Sequence, residues 1–175
     1  MRKALDLLTQ YAEYHRDRRN IATHFVGVPL IVFAVGVLLG RPQFQFGPWL
    51  LTPAWLVFAV AAVWYVTRHL VLGVAVSVAI GVLIALGQPL GQQSTFVWLA
   101  SGIGAFVVGW VIQFIGHYYE GRKPAFVDDL VGLLVGPMFV VAEAMFALGW
   151  NREMLHEIEK RAGPTMLRDL ANARS

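Results

Sequence analysis

The sequence contains no cysteine, which excludes disulfides, thiolate metal ligands and thiol nucleophiles. Charge is scarce as well: 14% of the 175 residues are Asp, Glu, Lys or Arg, against roughly 25% in ordinary soluble domains. Residues 20–40, 42–67 and 69–119 hold no charged side chain at all. A membrane-spanning helix needs about 20 mostly apolar residues, so these stretches have room for roughly one, one and two spans. A signal peptide would leave one apolar segment and a soluble remainder, but here apolar segments continue to Trp150. Buried helices of a soluble α-protein are usually amphipathic, and uninterrupted apolar runs of this length do not fit them. The net charge of +3 comes from basic residues beside the apolar runs, where lipid headgroups and topology account for them. Nucleic acid is therefore not an expected partner, whereas membrane lipids are.

What is present is hydrophobicity, at 57% of residues, in a pattern that predicts an all-α polytopic bundle of four to five hydrophobic helices with amphipathic terminal helices. Residues 1–175 are expected to form a single membrane-embedded domain: an amphipathic segment over 1–20, the bundle over 21–150 and a polar tail over 151–175. In the first segment Ala4, Leu7, Leu8, Tyr11 and Tyr14 recur at helical spacing and would face the membrane or the bundle. Spans are expected over 21–39, 49–66, 70–86 and 96–119, with a tight turn at Arg68 and His69. The fifth apolar segment, 130–150, either crosses or breaks at Gly136 and Pro137 and returns, because proline removes a backbone donor and clashes with the preceding turn. Short cytoplasmic loops are enriched in Lys and Arg, which places Arg2, Lys3, Arg16, Arg18 and Arg19 inside, together with Arg68, Arg122 and Lys123. The tail carries Arg152, Lys160, Arg161, Arg168 and Arg174, and only a returning fifth segment puts these on the same side. Gly36 with Gly40, and Gly132 with Gly136, match close helix packing.

This topology gathers His15, His24, His69 and His117 at one membrane face, while His156 falls in the solvated tail. Ionisable residues at membrane depth are costly and default to functional candidates. Residues four apart share a helix face, which pairs Tyr11 with His15 and Asn20 with His24. Gln113, His117 and Glu120, spaced four and three, place an amide, an imidazole and a carboxylate on one face. His15 and His24 are nine apart and need a bend around Arg18 to Asn20 to meet. Imidazoles with a carboxylate and no sulfur suit Fe, Zn, Mn or similar ions. Ser77, Ser94 and Ser101 lie in apolar or outer segments with no neighbouring histidine in sequence, which argues against a hydrolase triad.

Two segments carry a family resemblance: Tyr14 to Pro29 (YHRDRRNIATHFVGVP) and Gln113 to Ala125 (QFIGHYYEGRKPA). With the stretch from Gly136 to Glu143, they resemble the membrane 2-hydroxy fatty acid dioxygenases, over roughly residues 5 to 150. The resemblance implies an Fe(II)-dependent enzyme that uses O2 to shorten a 2-hydroxy fatty acid by one carbon, the fatty acid α-oxidation of the family's endoplasmic-reticulum members in yeast. Carried over by position, His15, His24 and His117 become the metal ligands and catalytic centre; a further ligand is Glu120, or else His69, which lies outside both signatures and enters through the topology alone. Asn20, Gln113 and Glu143 become residues that orient them. The metal site is expected at the cytoplasmic face of the plasma membrane in a bacterium, or of the endoplasmic reticulum in a eukaryote. The rival expectations are a non-enzymatic metal-binding or transporter-like bundle, and a membrane hydrolase or desaturase-like enzyme built on the same histidines.

Overall fold

A computed structural model describes residues 3–122 and 131–168, with Trp49 described by its backbone only. The helices are α1 (Ala4–Ala12), α2 (Arg18–Leu38), α3 (Pro53–Arg68), α4 (Leu70–Gly91), α5 (Thr95–Glu120), α6 (Gly132–Ala147) and α7 (Arg152–Ala162). Long runs of Leu, Val, Ala and Phe become helices because backbone polar groups in hydrocarbon must be satisfied within the segment. Three of them, α2, α4 and α5, are long and apolar enough to cross a bilayer, so this is a membrane protein. With 16 residues, α3 is shorter and folds back on α4 through the turn at His69. Gly73 lies there against the backbone of Tyr65 and Val66, and Gly81 against Phe58.

The bundle is organised around α2, which packs along both α5 and α4. Glycines allow the approach: a Cβ at Gly27 would lie 2.9 Å from the carbonyl oxygen of Gly109 on α5, closer than side-chain carbons come. On the other side Gly36 meets Ile84, and Gly40 meets Gly91, as expected for that pair of small residues. At the end away from the histidines, β1 (Phe44–Phe46) and β2 (Trp49–Leu51) form an antiparallel hairpin, with Phe44 opposite Leu51. Its turn contains Gly47 at φ 57, a left-handed conformation that glycine adopts freely.

The fifth apolar segment differs from expectation in where it bends. Helix α6 runs straight through Gly136 and Pro137; the chain instead turns by 119° between α6 and α7. There Gly149 and Asn151 have φ of 89 and 43, and the Asn151 side chain caps α7 by accepting from Met154 N–H at 3.1 Å. Helix α6 begins beside Ile31 and Val32, about 20 Å along α2 from Arg18 at 1.5 Å per residue. It then climbs to the histidine end, where Glu143 approaches Arg16 and the Trp150 ring lies 5.5 Å from His69. It therefore does not run from one end of the bundle to the other.

The amphipathic helix α1 buries Ala4, Leu7, Leu8 and Tyr11 against α6 and α7, so its apolar stripe is covered by protein. Beyond α7, Met166 donates its N–H to the Arg16 carbonyl at 2.8 Å and accepts from Arg18 N–H at 3.0 Å. N-terminal and C-terminal segments thus share one end of the bundle. The expected basic residues Arg2, Lys3 and Arg122 to Lys123 meet this picture only in part, since Arg2, Lys123 and Arg174 lie outside the described residues.

Candidate metal centre

Helix α1 stops at Ala12, and Asp17 starts α2 as its N-cap, accepting from Arg19 N–H at 2.8 Å. Residues 13–17 are the break that brings His15 toward His24. On a continuous helix nine residues amount to two and a half turns, and the two rings would point apart. The bend lies just ahead of the expected position at Arg18 to Asn20, because those three residues already form the first turn of α2.

His15 Nδ1 donates to the Tyr11 carbonyl at 2.7 Å, and His24 Nδ1 donates to the Asn20 carbonyl at 2.8 Å. A carbonyl only accepts, so both rings carry their proton on Nδ1 and expose a lone pair on Nε2. These two Nε2 atoms stand 3.0 Å apart. Facing lone pairs at that distance repel unless a cation or a shared proton lies between them. Two nitrogens about 2.1 Å from one cation and at right angles would be about 3.0 Å apart, so the pair fits a metal. His117, from the last turn of α5, brings its ring centroid within 4.8 Å of His15 and 5.3 Å of His24. One ring nitrogen from each of the three falls within 4.8 Å of the others, and all three residues are buried. Burial, with the neighbouring His24 and His117, pushes the His15 pKa well below its usual value, which keeps the ring a neutral donor. Tyr11 stacks on His15, with centroids 4.0 Å apart and planes 5° from parallel.

Two proposed ligands are placed elsewhere. His69 lies at the α3–α4 junction, where Nδ1 accepts from Leu72 N–H at 3.3 Å and caps α4; among the described residues the cluster contains only His15, His24 and His117. Glu120 has both carboxylate oxygens engaged in a clasp. Oε2 accepts from the N–H groups of Arg16 and Asp17 at 3.0 and 2.8 Å and from Asn20 Nδ2 at 3.1 Å. Oε1 takes Nε and a terminal nitrogen of Arg168, each at 2.8 Å. The carboxylate therefore anchors the loop that carries His15.

The family model described as 2-hydroxy-palmitic acid dioxygenase Mpo1-like matches residues 1–148. The chain belongs to the Mpo1-like family. The 2-hydroxy-palmitic acid dioxygenase MPO1 of Saccharomyces cerevisiae is 30% identical to it over 160 residues, which cover 89% of this chain and 88% of the yeast protein. No solved structure matches it.

In this Mpo1-like protein the residues expected to orient the histidines act differently from one another. Asn20 holds His24 through its backbone carbonyl, while its side chain joins the Glu120 clasp and also donates to the Tyr14 carbonyl at 3.2 Å. Glu143 pairs with Arg16 at 3.7 Å. Gln113 is buried beside the cluster, and its Oε1 has no hydrogen bond among the described residues. Sequence reasoning missed Arg16 and Arg168. The first is 2% exposed and donates from Nε to the Ala12 and His15 carbonyls at 2.9 and 3.0 Å, and from a terminal nitrogen to the Gly163 carbonyl at 3.0 Å. Its position beside His15 in the first conspicuous motif was the available signal. Asp17 binds Arg168 N–H at 2.8 Å as well as Arg19. Burial raises its pKa, but the hydrogen bonds from Arg19 and Arg168 N–H and the charge of Arg19 outweigh this and hold it at about 2.

Beside His24 and His117 a small, partly open cleft of about 70 Å³ lies between α2, α5 and α6. Val28, Ile31, Val32, Trp110, Leu133 and Pro137 line it, so it is polar at the histidine end and apolar beyond.

Proposed function

We propose that this protein is an Fe(II)-dependent dioxygenase that converts a 2-hydroxy fatty acid to the acid one carbon shorter. The observation that carries the reading is the pair of Nε2 lone pairs 3.0 Å apart with His117 beside them, in a chain of the Mpo1-like family. His15, His24 and His117 would hold the ion. Imidazole donors suit iron, zinc, copper and nickel alike, and a redox-active ion supplies dioxygen activation, which zinc does not.

The overall change balances with one O2: R–CHOH–COOH gives R–COOH, CO2 and water. The two carbons of the broken bond give up the four electrons that reduce O2. The chain's own residues prepare the site. The Tyr11 and Asn20 carbonyls fix the tautomer and direction of two imidazoles, as the outer partners of metal-bound histidines do. The Glu120 clasp fastens the His15 loop to the end of α5. The apolar walls of the cleft accept an acyl chain and leave its polar head at the histidines. Lys3, Arg16, Arg18 and Arg19 assign this end to the cytoplasmic side.

Purified protein loaded with Fe(II) and given 2-hydroxyhexadecanoic acid should consume O2 and yield pentadecanoic acid. His15→Ala, His24→Ala and His117→Ala should each lose metal and product while the bundle stays folded. Absence of O2-dependent shortening in the iron-loaded protein, or normal metal content in all three variants, would overturn the reading.

A further inference from the structure

Gln113 stands one helical turn before His117 on α5, is 4% exposed, and lines the cleft together with His24 and His117. Its Oε1 is enclosed and has no hydrogen-bond partner among the described residues. A buried acceptor in this condition is costly, and most such groups in native proteins are satisfied. It does not orient His15 or His24, which give their Nδ1 protons to backbone carbonyls, and it makes no hydrogen bond to His117. Helix α2 limits where the amide can go: a Cβ at Gly27 would lie 3.1 Å from both Cγ and Nε2 of Gln113, so the bare backbone closes that side. Val28, Ile31, Val32, Leu133 and Pro137 offer no side-chain donor, and the Tyr11 hydroxyl and Trp110 indole, which also line the cleft, make no hydrogen bond to Oε1. Among the described residues no group supplies the donor, so a molecule that fills the cleft can bring it.

We propose that Gln113 Oε1 accepts a hydrogen bond from the 2-hydroxyl of the bound acid, and that this contact distinguishes a 2-hydroxy acid from the unsubstituted one. The substrate class rests on the proposed function; the role of Gln113 is the new element. Of the polar side chains lining the cleft, His24 and His117 belong to the histidine cluster and Tyr11 stacks on His15, while Gln113 carries the unpartnered acceptor suited to read the substituent. Asn20 Oδ1 is also unpartnered, but Asn20 does not line the cleft and its amide nitrogen is tied into the Glu120 clasp. A site built to hydrogen-bond a hydroxyl discriminates strongly against the analogue lacking it, because the protein group is then left unpaired.

The test is equilibrium binding of 2-hydroxyhexadecanoic and hexadecanoic acids to the full-length protein in nanodiscs under argon, where turnover is impossible. The wild type should prefer the hydroxylated acid. In Gln113→Leu and Gln113→Met that preference should fall about tenfold, the worth of one such hydrogen bond, while hexadecanoic acid binds as well as before or better. Two variants of different shape guard against one failing to fold. A wild type without preference overturns the proposal, as does an unchanged ratio in a folded variant or an equal loss for both acids. The ratio is read without catalysis, so it stands or falls separately from the iron chemistry, which fails through metal content and product.

Discussion

Replacing Glu120 separates two roles for a buried carboxylate next to a metal centre. In Glu120→Ala the N–H groups of Arg16 and Asp17 and the amide of Asn20 lose their acceptor, and Arg168 loses its partner. Each buried donor left unpaired costs about 1–3 kcal/mol. The Arg168 side chain is 26% exposed, so water replaces much of its contact and it adds little. A loss of about 3–5 kcal/mol follows, the range for removing one partner of a buried pair. The His15 loop is also released, and metal affinity should drop about 10–100-fold, as for other partners that orient ligands. Glu120→Gln keeps one carbonyl oxygen for the three donors, but its NH2 cannot accept from Arg168, whose guanidinium turns to water. Only the ion pair is lost, at about 1 kcal/mol for so exposed a partner, and metal content should stay near normal. Denaturant unfolding followed by tryptophan fluorescence in detergent gives the first quantity, and metal analysis after equilibrium dialysis gives the second. A stable Glu120→Gln protein that has lost its metal would make Glu120 a ligand and refute the clasp; so would Glu120→Ala with stability within about 0.5 kcal/mol of wild type.

Three further outcomes follow from the same geometry. His69→Ala should leave metal content unchanged and cost about 1 kcal/mol through the lost cap of α4, so loss of metal would return His69 to the site. In Gly116→Ala the new Cβ would meet Thr23 Oγ1 at 2.0 Å and Asn20 Oδ1 at 2.5 Å; overpacking of this kind costs about 1–3 kcal/mol and should weaken metal binding by shifting His117, whereas normal melting and metal content would contradict so close an approach. Because the chain has no cysteine, single cysteines at Lys3 and Arg161 can be labelled cleanly, and an impermeant thiol reagent should reach both from the same side of oriented vesicles. Labelling from opposite sides would mean that α6 and α7 cross the membrane.

Helix number and membrane character were legible because a 20-residue apolar run has few alternatives in structure. The three clustered histidines were legible as well, since topology and the spacing of His15, His24 and His117 point them to one end. Atomic roles were not. The spacing of four linked Tyr11 to His15 and Asn20 to His24, but the contacting groups are backbone carbonyls, which every residue possesses. Its spacing from His117 makes Glu120 one of two candidates for a further ligand, and the N–H groups its carboxylate accepts from lie about a hundred residues away in sequence. The role of Arg168 depends on the same long-range contact and has no local signature. Pro137 misled in a different way: proline removes one helical bond, and helix α6 carries on past it because packing against α1, α2 and α4 holds it. The turn instead falls where Gly149 and Asn151 tolerate positive φ.

The charges around the cluster constrain what kind of occupant it favours. Glu120 pairs with Arg168, Asp17 with Arg19, and Glu143 with Arg16, so these three carboxylates are already matched by guanidiniums. The three imidazoles are neutral donors and contribute no compensating charge. A divalent ion on this donor set would keep its full charge in a buried site, and a bound cation is then the largest local charge. An anion in the first available position is strongly favoured over a neutral ligand, because the attraction grows as the effective dielectric falls. This connects the two ends of the cleft. Under the proposed function the carboxylate of an acid would meet the charge at the histidines and the apolar walls along α2 and α6 would take the chain, with Gln113 lining the same cleft. Under the proposed function a free acid is preferred because, among the described residues, the cluster holds no protein carboxylate, a feature that a Glu120 ligand would cancel.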